Sequence, residues 1–307
     1  MSSQAPAELS PIDVSVVLPV HNEAGHIATE VTRIRSALAA SPYTYEVIVV
    51  DDGSTDGSAA EIGRIEGVRV IRFPTNRGAG SSRKAGTRAA RGRVVAWTDV
   101  DMSYPNEQIP NLVKELDSGW DQVVGARTSE QGTQKAARVP AKWVLARLAS
   151  YLTSTRIPDL NSGLRVFRRS VALQFLYLLP AGFSCVSTIT LAFLANGYSV
   201  HYVPVDYFPR AGRSKFHWWA DTRRYLLQIV RMVLLYNPLR VFMPIGLVLL
   251  GAAVGKLAYD LVAHSFHVAA DTLVLFGGGV AVVLLGLIAD LLVTLNKVRD
   301  EVEPASL

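Results

Sequence analysis

Residues 94–101 read Val94-Val95-Ala96-Trp97-Thr98-Asp99-Val100-Asp101, an apolar run followed by two carboxylates one residue apart. A short apolar run of this kind is typical of a buried strand. Residues two apart point the same way in an extended chain, so the loop after the strand can aim both carboxylates at one point. Oxygen ligands in this arrangement suit a hard divalent cation, Mg²⁺ or Mn²⁺, shared with the phosphates of a substrate.

Strands and helices alternate on both sides of this stretch. Apolar runs predict strands over 14–18, 46–50, 68–73, 94–97, 121–125 and 199–203, with helices over 23–39, 78–91 and 106–118. We expect Asn22 to cap the helix at 23–39 and Asp56 to cap a further, short helix before the strand at 68–73. The alternation predicts an α/β fold with a mostly parallel sheet covered on both faces.

Polar clusters follow three of the predicted strands. They are Pro19-Val20-His21-Asn22-Glu23, the run from Asp51 to Asp56, and Asp99 to Asp101. Ligands of parallel sheets bind at the carboxyl ends of the strands, where these clusters would meet. Helix capping accounts for Asn22 and Asp56 but not for carboxylates at all three strand ends. The pattern predicts a nucleotide bound through its base, its ribose and a metal-bridged diphosphate.

Two nearly continuous apolar runs, 241–262 and 272–295, stand near the end of the chain. Each is long enough to cross about 30 Å of hydrocarbon as a helix. Residues 263–271 between them contain no Lys or Arg, whereas cations flank the pair. This bias predicts a multi-pass cell-membrane protein with its large N-terminal part and both termini in the cytoplasm. The flanking cations are Arg231, Arg240, Lys297 and Arg299.

Small and polar residues occur inside these two spans. Gly251 and Gly255 share one helix face and favour close helix packing, either within one chain or between subunits of a homo-oligomer. Lys256 and Asp260 lie four apart and are expected to pair. The single cysteine, Cys185, excludes an internal disulfide and a Cys-based zinc site, and we expect it to be buried.

The net charge of +5 understates a local excess of Lys and Arg in residues 127–169 and 205–240. A basic surface next to membrane spans matches lipid phosphates, and no nucleic-acid-binding motif is present. Arg210, Arg213 and Lys215 surround Gly212 and form a predicted anion site. An aromatic cluster at 216–219 and an interfacial helix reaching about 237 are expected to follow at the membrane surface.

Five ordered motifs together resemble the family 2 glycosyltransferases of the GT-A fold. Within that family the chain is similar to polyprenyl-phosphate glycosyltransferases, relatives of dolichol-phosphate mannose synthase with two C-terminal spans. The motifs are Pro19 to Glu23, Asp51-Asp52-Gly53-Ser54, Asp99-Val100-Asp101, Asp159 to Arg165 and Arg210 to Lys215. The resemblance implies a disordered lead (1–12), a glycosyltransferase domain (13–215), juxtamembrane helices (216–240), two transmembrane helices (241–262 and 272–296) joined by a short loop (263–271), and a tail (297–307).

The resemblance further implies metal-dependent, inverting transfer of one sugar from a UDP- or GDP-linked donor to a polyprenyl phosphate. Asp99, Asp101 and Ser103 would serve the metal, although relatives often carry Gln at the position of Ser103. The nucleotide would contact Pro19, Val20, Asn22, Glu23, Asp52, Ser54, Arg83 and Asp99. The acceptor and diphosphate would contact Arg127, Ser162, Arg165, Arg210, Arg213, Ser214 and Lys215. Catalytic roles would fall to Asp159, Asp101 and Arg127.

The sequence leaves two roles open for Asp159. The family pattern implies a general base, but the attacking phosphate oxygen is already largely ionised near neutral pH because its second pKa is about 6. Asp159 would otherwise orient Arg165 or the sugar hydroxyls. Relatives often show a Lys directly after the Asn-x-Gly of the Gly-rich helix, and Arg77 or Arg83 would have to supply that charge here.

Three rival functions are weighed against this one. A processive polysaccharide synthase normally carries Gln-x-x-Arg-Trp, whereas residues 228–232 read Gln-Ile-Val-Arg-Met. A non-catalytic, membrane-tethered nucleotide-sugar-binding scaffold would be favoured by loss of Asp99 or Asp101, and both are present. An NAD(P) oxidoreductase is disfavoured because the first strand lacks the following Gly-x-Gly-x-x-Gly.

Overall fold

A computed structural model of the chain describes residues 11–128, 155, 157–182, 184–209, 238–263 and 269–302. The chain divides into two compact units, residues 1–225 and 226–307. Several predicted segments lie outside the described residues. They are most of the disordered lead, the basic stretch Arg210 to Lys215, and the aromatic cluster and interfacial helix at 216–237.

The first unit is built on a seven-stranded mixed sheet. Its strands are β1 (Val14–Val20), β2 (Tyr45–Asp52), β3 (Arg69–Phe73), β4 (Val94–Trp97), β5 (Gln122–Arg127), β6 (Arg165–Arg168) and β7 (Val200–Val205). Their spatial order is β3-β2-β1-β4-β6-β5-β7. Every pair is parallel except those made by β6, which runs antiparallel to β4 and to β5. The predicted α/β fold with a mostly parallel sheet is confirmed.

Within its described residues, six α-helices accompany the sheet: α1 (Ile27–Ala39), α2 (Ser58–Ile62), α3 (Ala79–Ala89), α4 (Ile109–Asp117), α5 (Arg169–Phe175) and α6 (Cys185–Ala195). Ile27, Val31, Ile34 and Leu38 of α1 recur at helical spacing and are buried in the core. The core is therefore formed by one face of each amphipathic helix against the apolar strands. Cys185 is buried, as predicted.

Two details near β1 differ from the predictions. Asn22 does not cap α1, which begins at Ile27; its backbone has φ +56°, and its Oδ1 accepts a bond from the Thr55 amide at 2.8 Å. Asn22 therefore ties the loop after β1 to the loop after β2. The strand β1 also continues through Pro19, because Pro19 lies beyond the last pair with β4, Val17 to Trp97. Beyond that pair β1 has a neighbour on one side only, where a missing N–H is tolerated.

The reversal of β6 decides which residues meet at one edge of the sheet. The carboxyl ends of β1, β2, β4, β5 and β7 and the amino end of β6 share this edge, which we call the carboxyl rim. Asp52, Arg127 and Arg165 are rim residues at the ends of their strands. The loop that carries Asp159 therefore enters the sheet at the same edge at which Asp99 leaves it.

The second unit contains two long helices, α7 (Leu239–Ala263) and α8 (Ala270–Val302). Residues Leu239–Val262 and Ala270–Leu295 are long and apolar enough to cross a membrane. The helices approach closely at glycines: a Cβ on Gly246 would lie 2.5 Å from Val283 Cγ2, and one on Gly279 would lie 2.8 Å from Leu250 Cγ.

A Cβ at Gly251 or Gly255 would meet no atom of the described residues within 4 Å, so these two glycines do not mediate contact between α7 and α8. The predicted pair of Lys256 and Asp260 is confirmed, with Nζ and Oδ1 3.1 Å apart. Asp260 also accepts a hydrogen bond from Thr272 Oγ1 and thereby links the two helices.

Candidate functional site

Asp99 follows β4 at the carboxyl rim and contacts two other elements. Its Oδ1 accepts a bond from Arg83 Nη2 of α3 at 2.6 Å, and its side chain is 30% exposed. Its Oδ2 lies against Gly163, where a Cβ would approach to 2.5 Å. Only glycine fits at position 163 without moving Asp99. The loop before β6 is therefore packed directly on this carboxylate.

Asp101 is buried, and its position is set by a tight turn. Its Oδ1 accepts bonds from the amide of Ser103 at 3.2 Å and from the Ser103 hydroxyl. Met102 between them has φ +63°, a left-handed conformation that is uncommon for a residue with a side chain. Ser103, expected as a third metal ligand, donates its hydroxyl proton to Asp101 and so supports that carboxylate; its contact with a metal stays a prediction.

The donor set at this turn fits a divalent cation. Among the described residues no group of three or more His, Cys, Asp or Glu side chains is arranged to hold a metal. Mg²⁺ and Mn²⁺ are nevertheless commonly held by one or two carboxylates, with water and substrate phosphates as the other ligands. Asp99 and Asp101 supply such oxygens, and the cation would share Asp99 with the Arg83 guanidinium.

Arg127 at the end of β5 forms a two-bond ion pair with Asp159. Nε donates to Oδ2 at 2.7 Å, and Nη2 donates to Oδ1 at 2.9 Å. Burial alone would raise the pKa of Asp159, but the hydrogen bonds and charge of Arg127 outweigh it and hold the pKa below its ordinary value. The pKa of Arg127 is raised, because this partner outweighs the cost of burial. Asp159 is thus a stable anion and a weak proton acceptor.

Two tyrosines connect the turn from Asp99 to Ser103, which we call the carboxylate turn, with this ion pair. The Tyr104 hydroxyl accepts a bond from the Gly163 amide at 2.7 Å, and its ring centroid lies 5.1 Å from that of Tyr207. The Arg127 guanidinium carbon lies 5.2 Å from the centre of the Tyr207 ring, within the range of a cation–π contact. One connected cluster therefore joins Asp99 to Asp159.

The sequence reasoning did not select Tyr104 and Tyr207. A signal was present, since Tyr104 stands three residues after Asp101 and Tyr207 stands two residues after β7. Both therefore had to emerge at the carboxyl rim. Burial raises the pKa of Tyr104, which keeps its hydroxyl neutral.

The predicted nucleotide loops lie side by side at the ends of β1 and β2. The Asn22 amide donates to Ser54 Oγ at 3.2 Å, and the Glu23 amide donates to Ser58 Oγ at 2.9 Å. Asp56 accepts a bond from the Ser58 amide at 2.8 Å, but the N-cap of α2 is Gly57, so Asp56 lies one residue before the cap position predicted for it. Pro19 is partly exposed between the buried neighbours Leu18 and Val20.

Asp52 is buried and organises the start of α3. Its Oδ1 accepts from the Arg77 amide at 2.7 Å, and its Oδ2 accepts from the Gly78 amide at 2.8 Å. The amide of Gly80 donates to the carbonyl of Ala181 at 2.7 Å. The amides that open α3 are therefore bonded to the protein's own acceptors.

Three predicted binding residues make most of their described contacts within the protein. The Val20 side chain is fully buried in the hydrophobic core, so only its backbone is available to a nucleotide. Arg165 is 0% exposed; it donates to the carbonyls of Val186 and Ser162, and burial lowers its pKa to about 10. Ser162 donates to the Gly125 carbonyl at 2.6 Å. Arg165 and Ser162 thus shape the loop before β6, and their contact with an acceptor stays a prediction.

Four further acceptor residues, Arg210, Arg213, Ser214 and Lys215, lie outside the described residues. Before them, the Phe208 amide donates to the Ser103 carbonyl at 2.9 Å, which ties the end of the described segment 184–209 to the turn after Asp101.

Comparisons with known proteins match two regions of the chain. Residues 15–175 match the model of glycosyl transferase family 2, and residues 237–295 match the GtrB C-terminal hairpin. The chain is 29% identical to the dodecaprenyl-phosphate galacturonate synthase of Rhizobium johnstonii over 53% of its length, and it spans half the length of that relative.

Two other curated relatives are covered more fully. The undecaprenyl-phosphate 4-deoxy-4-formamido-L-arabinose transferase of Klebsiella pneumoniae is 30% identical over 80% of this chain and 75% of its own length. The dolichyl-phosphate hexose transferase of Haloferax volcanii is 30% identical over 72% of this chain and 94% of its own.

Solved structures share the fold of the first unit. Glucosyl-3-phosphoglycerate synthase of Mycobacterium tuberculosis with UDP superposes with a TM-score of 0.58 at 21% identity, covering 72% of this chain and 80% of that one. The same enzyme with Mg²⁺ and UDP gives a TM-score of 0.55 at 22% identity, covering 72% and 79%.

Proposed function

The chain belongs to glycosyl transferase family 2, and we propose that it transfers one sugar from a nucleotide-sugar to a polyprenyl phosphate. The observation that carries the proposal is the cluster at the carboxyl rim that connects Asp99 and Asp101 with Arg127 and Asp159. It brings oxygen donors for a divalent cation into one connected group with a guanidinium suited to phosphate. The named relatives, which are polyprenyl-phosphate sugar transferases, support the lipid acceptor.

Asp99 and Asp101 would hold the cation. Mg²⁺ or Mn²⁺, when bound, would neutralise negative charge on the departing nucleoside diphosphate. The complexes of the mycobacterial synthase with Mn²⁺ or Mg²⁺ and UDP support this cofactor class. Arg83, already paired with Asp99, places a second positive charge beside the diphosphate. The loops at Asn22 and Ser54 would then contact the nucleoside, together with Pro19, Glu23 and Asp52.

Arg127 would bind the acceptor phosphate, assisted by Arg210, Arg213, Ser214 and Lys215. An ionised phosphate oxygen attacks without a strong base, because its second pKa is about 6. Asp159 would then hold Arg127 in place through the two bonds described above, rather than remove a proton. Direct attack with no enzyme nucleophile inverts the anomeric carbon.

The two apolar helices, together with the match to the GtrB hairpin, make this a membrane protein. We propose that the catalytic unit and both termini face the cytoplasm, because residues 263–271 lack Lys and Arg and the flanks carry them. Association into a homo-oligomer through the face that carries Gly251 and Gly255 is part of the same proposal.

The test uses the purified full chain in detergent with undecaprenyl or dolichyl phosphate, Mg²⁺ or Mn²⁺, and a panel of UDP- and GDP-sugars. Mass spectrometry should detect a lipid carrying one sugar, and Asp101→Ala should abolish it while leaving membrane insertion intact. A polymer would support the processive synthase. No product from any donor, despite specific nucleotide-sugar binding, would support the scaffold.

A further inference from the structure

A buried polar network lies behind the carboxylate turn, on the side of α1. Thr98, Asn106 and Glu30 are each 0% exposed. Asn106 opens a short 3₁₀ turn, Asn106–Gln108, directly before α4. Glu30 lies on the core face of α1, in a row otherwise occupied by apolar side chains. A carboxylate in this place costs desolvation free energy and is retained only with partners.

Asn106 uses its side chain to join three segments. Its Oδ1 accepts a bond from the Thr98 hydroxyl. Its Nδ2 donates to Glu30 Oε2 at 2.5 Å and to the backbone carbonyl of Asp99 at 3.2 Å. The side-chain amide of Asn106 is thus bonded to Thr98, to the backbone carbonyl of Asp99 and, through Glu30, to α1.

Glu30 orients Asn106 and is itself held in place by an ion pair. Its Oε1 pairs with Arg33 Nη1 at 3.0 Å, and Arg33 pairs with the exposed Glu107 at 2.5 Å. Since Glu30 only accepts hydrogen bonds, it forces the NH₂ of Asn106 toward α1 and Asp99 and the oxygen toward Thr98. The amide therefore has one satisfied orientation.

We propose that Asn106, oriented by Glu30, is the positioning residue that fixes the backbone at Asp99 and thereby the geometry of the Asp99 and Asp101 carboxylates for a divalent cation. The inference rests on the proposed function, since it assigns the cation to that site. Both residues are 0% exposed, which leaves neither side chain available to a substrate. Supporting partners of metal ligands typically change metal affinity by about 10–100-fold when replaced.

Two variants separate positioning from simple stabilisation. In Asn106→Asp a side-chain oxygen faces both Glu30 and the Asp99 carbonyl, so both donated bonds are lost without a cavity. In the double variant Glu30→Gln/Asn106→Asp, the introduced glutamine can donate to the introduced aspartate, which restores the link to α1 but not the bond to Asp99. The new negative charge in Asn106→Asp would by itself favour a cation, so weaker binding in these variants reports lost geometry.

The measurement is Mn²⁺ affinity of the full chain in detergent, by electron paramagnetic resonance of free Mn²⁺, with and without UDP or GDP. Thermal unfolding is followed in parallel. We expect Asn106→Asp to weaken Mn²⁺ binding about tenfold or more and to lower the unfolding temperature. The double variant should regain the unfolding temperature and keep the weak affinity. Glu107→Gln, which removes only the exposed ion pair, should match the wild type in both.

Recovery of affinity together with stability in the double variant would overturn the inference, as would wild-type affinity in Asn106→Asp. If Asn106→Asp does not fold, the double variant is compared with the wild type directly, and equal Mn²⁺ affinity overturns the inference. Failure of the wild type itself to bind Mn²⁺, with or without a nucleoside diphosphate, would instead contradict the metal role in the proposed function.

Discussion

Arg127 and Asp159 face each other through two parallel hydrogen bonds of 2.7 and 2.9 Å. This geometry holds the guanidinium plane at the carboxyl rim, where Tyr207 covers it. It also ties up both oxygens of Asp159. The pair therefore favours one of the two roles left open by the sequence, orientation of an arginine, although that arginine is Arg127 and not Arg165.

Asp159→Asn should lower turnover only about tenfold, because general base catalysis contributes about 10²–10⁴ and the structure leaves Asp159 little capacity for it. We expect the larger effect on KM for polyprenyl phosphate, since Arg127 loses its fixed orientation. Steady-state kinetics with a varied acceptor would check this. A fall of about 10³ or more in kcat at unchanged KM would restore the role of base.

The same ion pair should make stability depend on pH. The pKa of Asp159 in the folded protein lies below its ordinary value of 3.8. The ionised carboxylate therefore adds fully to the free energy of unfolding above about pH 5, and this stabilisation is lost as pH falls through the folded pKa. Asp159→Asn should cost about 2 kcal/mol at neutral pH. Unfolding temperatures measured from pH 7 to pH 3 should show the wild type and the variant converging. A difference in unfolding temperature that stays constant over this pH range would refute the dependence of stability on ionisation of Asp159.

Gly163→Ala should cost activity without unfolding the chain. A methyl group there would press on Asp99 Oδ2, and a displacement of about 1 Å at a catalytic group costs about 10²-fold in rate. The assay is sugar transfer at saturating and limiting Mn²⁺. Gly182→Ala is the matched control, because among the described residues no atom lies within 4 Å of its added Cβ. Equal activity in the two variants would show that Asp99 is not confined by Gly163.

Gly246→Ile should destabilise the helical hairpin, since its side chain would overlap Val283, and overpacking costs about 1–3 kcal/mol. Gly251→Ile meets no atom within the described chain and should leave the unfolding temperature unchanged. Size-exclusion chromatography with light scattering measures the oligomeric state of both variants. Loss of an oligomer in Gly251→Ile alone would place a subunit contact on that face. Equal destabilisation by both would contradict the packing described.

The sheet and the carboxylate turn were predictable because their signals are local. Apolar runs alternating with helical periodicity gave the strands, and the pair at Asp99 and Asp101 follows its strand directly. Helix starts were less predictable. Asn22 has the composition of a cap, yet tertiary contacts with Ser54 and Thr55 outweigh that local preference and delay α1 to Ile27.

Residues whose roles depend on distant partners could not be assigned from the sequence. Arg165 looks like a phosphate ligand beside Asp159, but the carbonyls that bind it come partly from α6. Glu30 and Asn106 are 76 positions apart and carry no shared motif. Their relationship exists only after α1 packs beside the turn that opens α4.

The antiparallel strand β6 has a consequence for how such proteins can diversify. The chain leaves the sheet at Arg127 and re-enters it at Arg165 on the same edge, so the sheet fixes both ends of the segment between them. Exchanging that segment for one from a relative would therefore leave β5 and β6 in their original register.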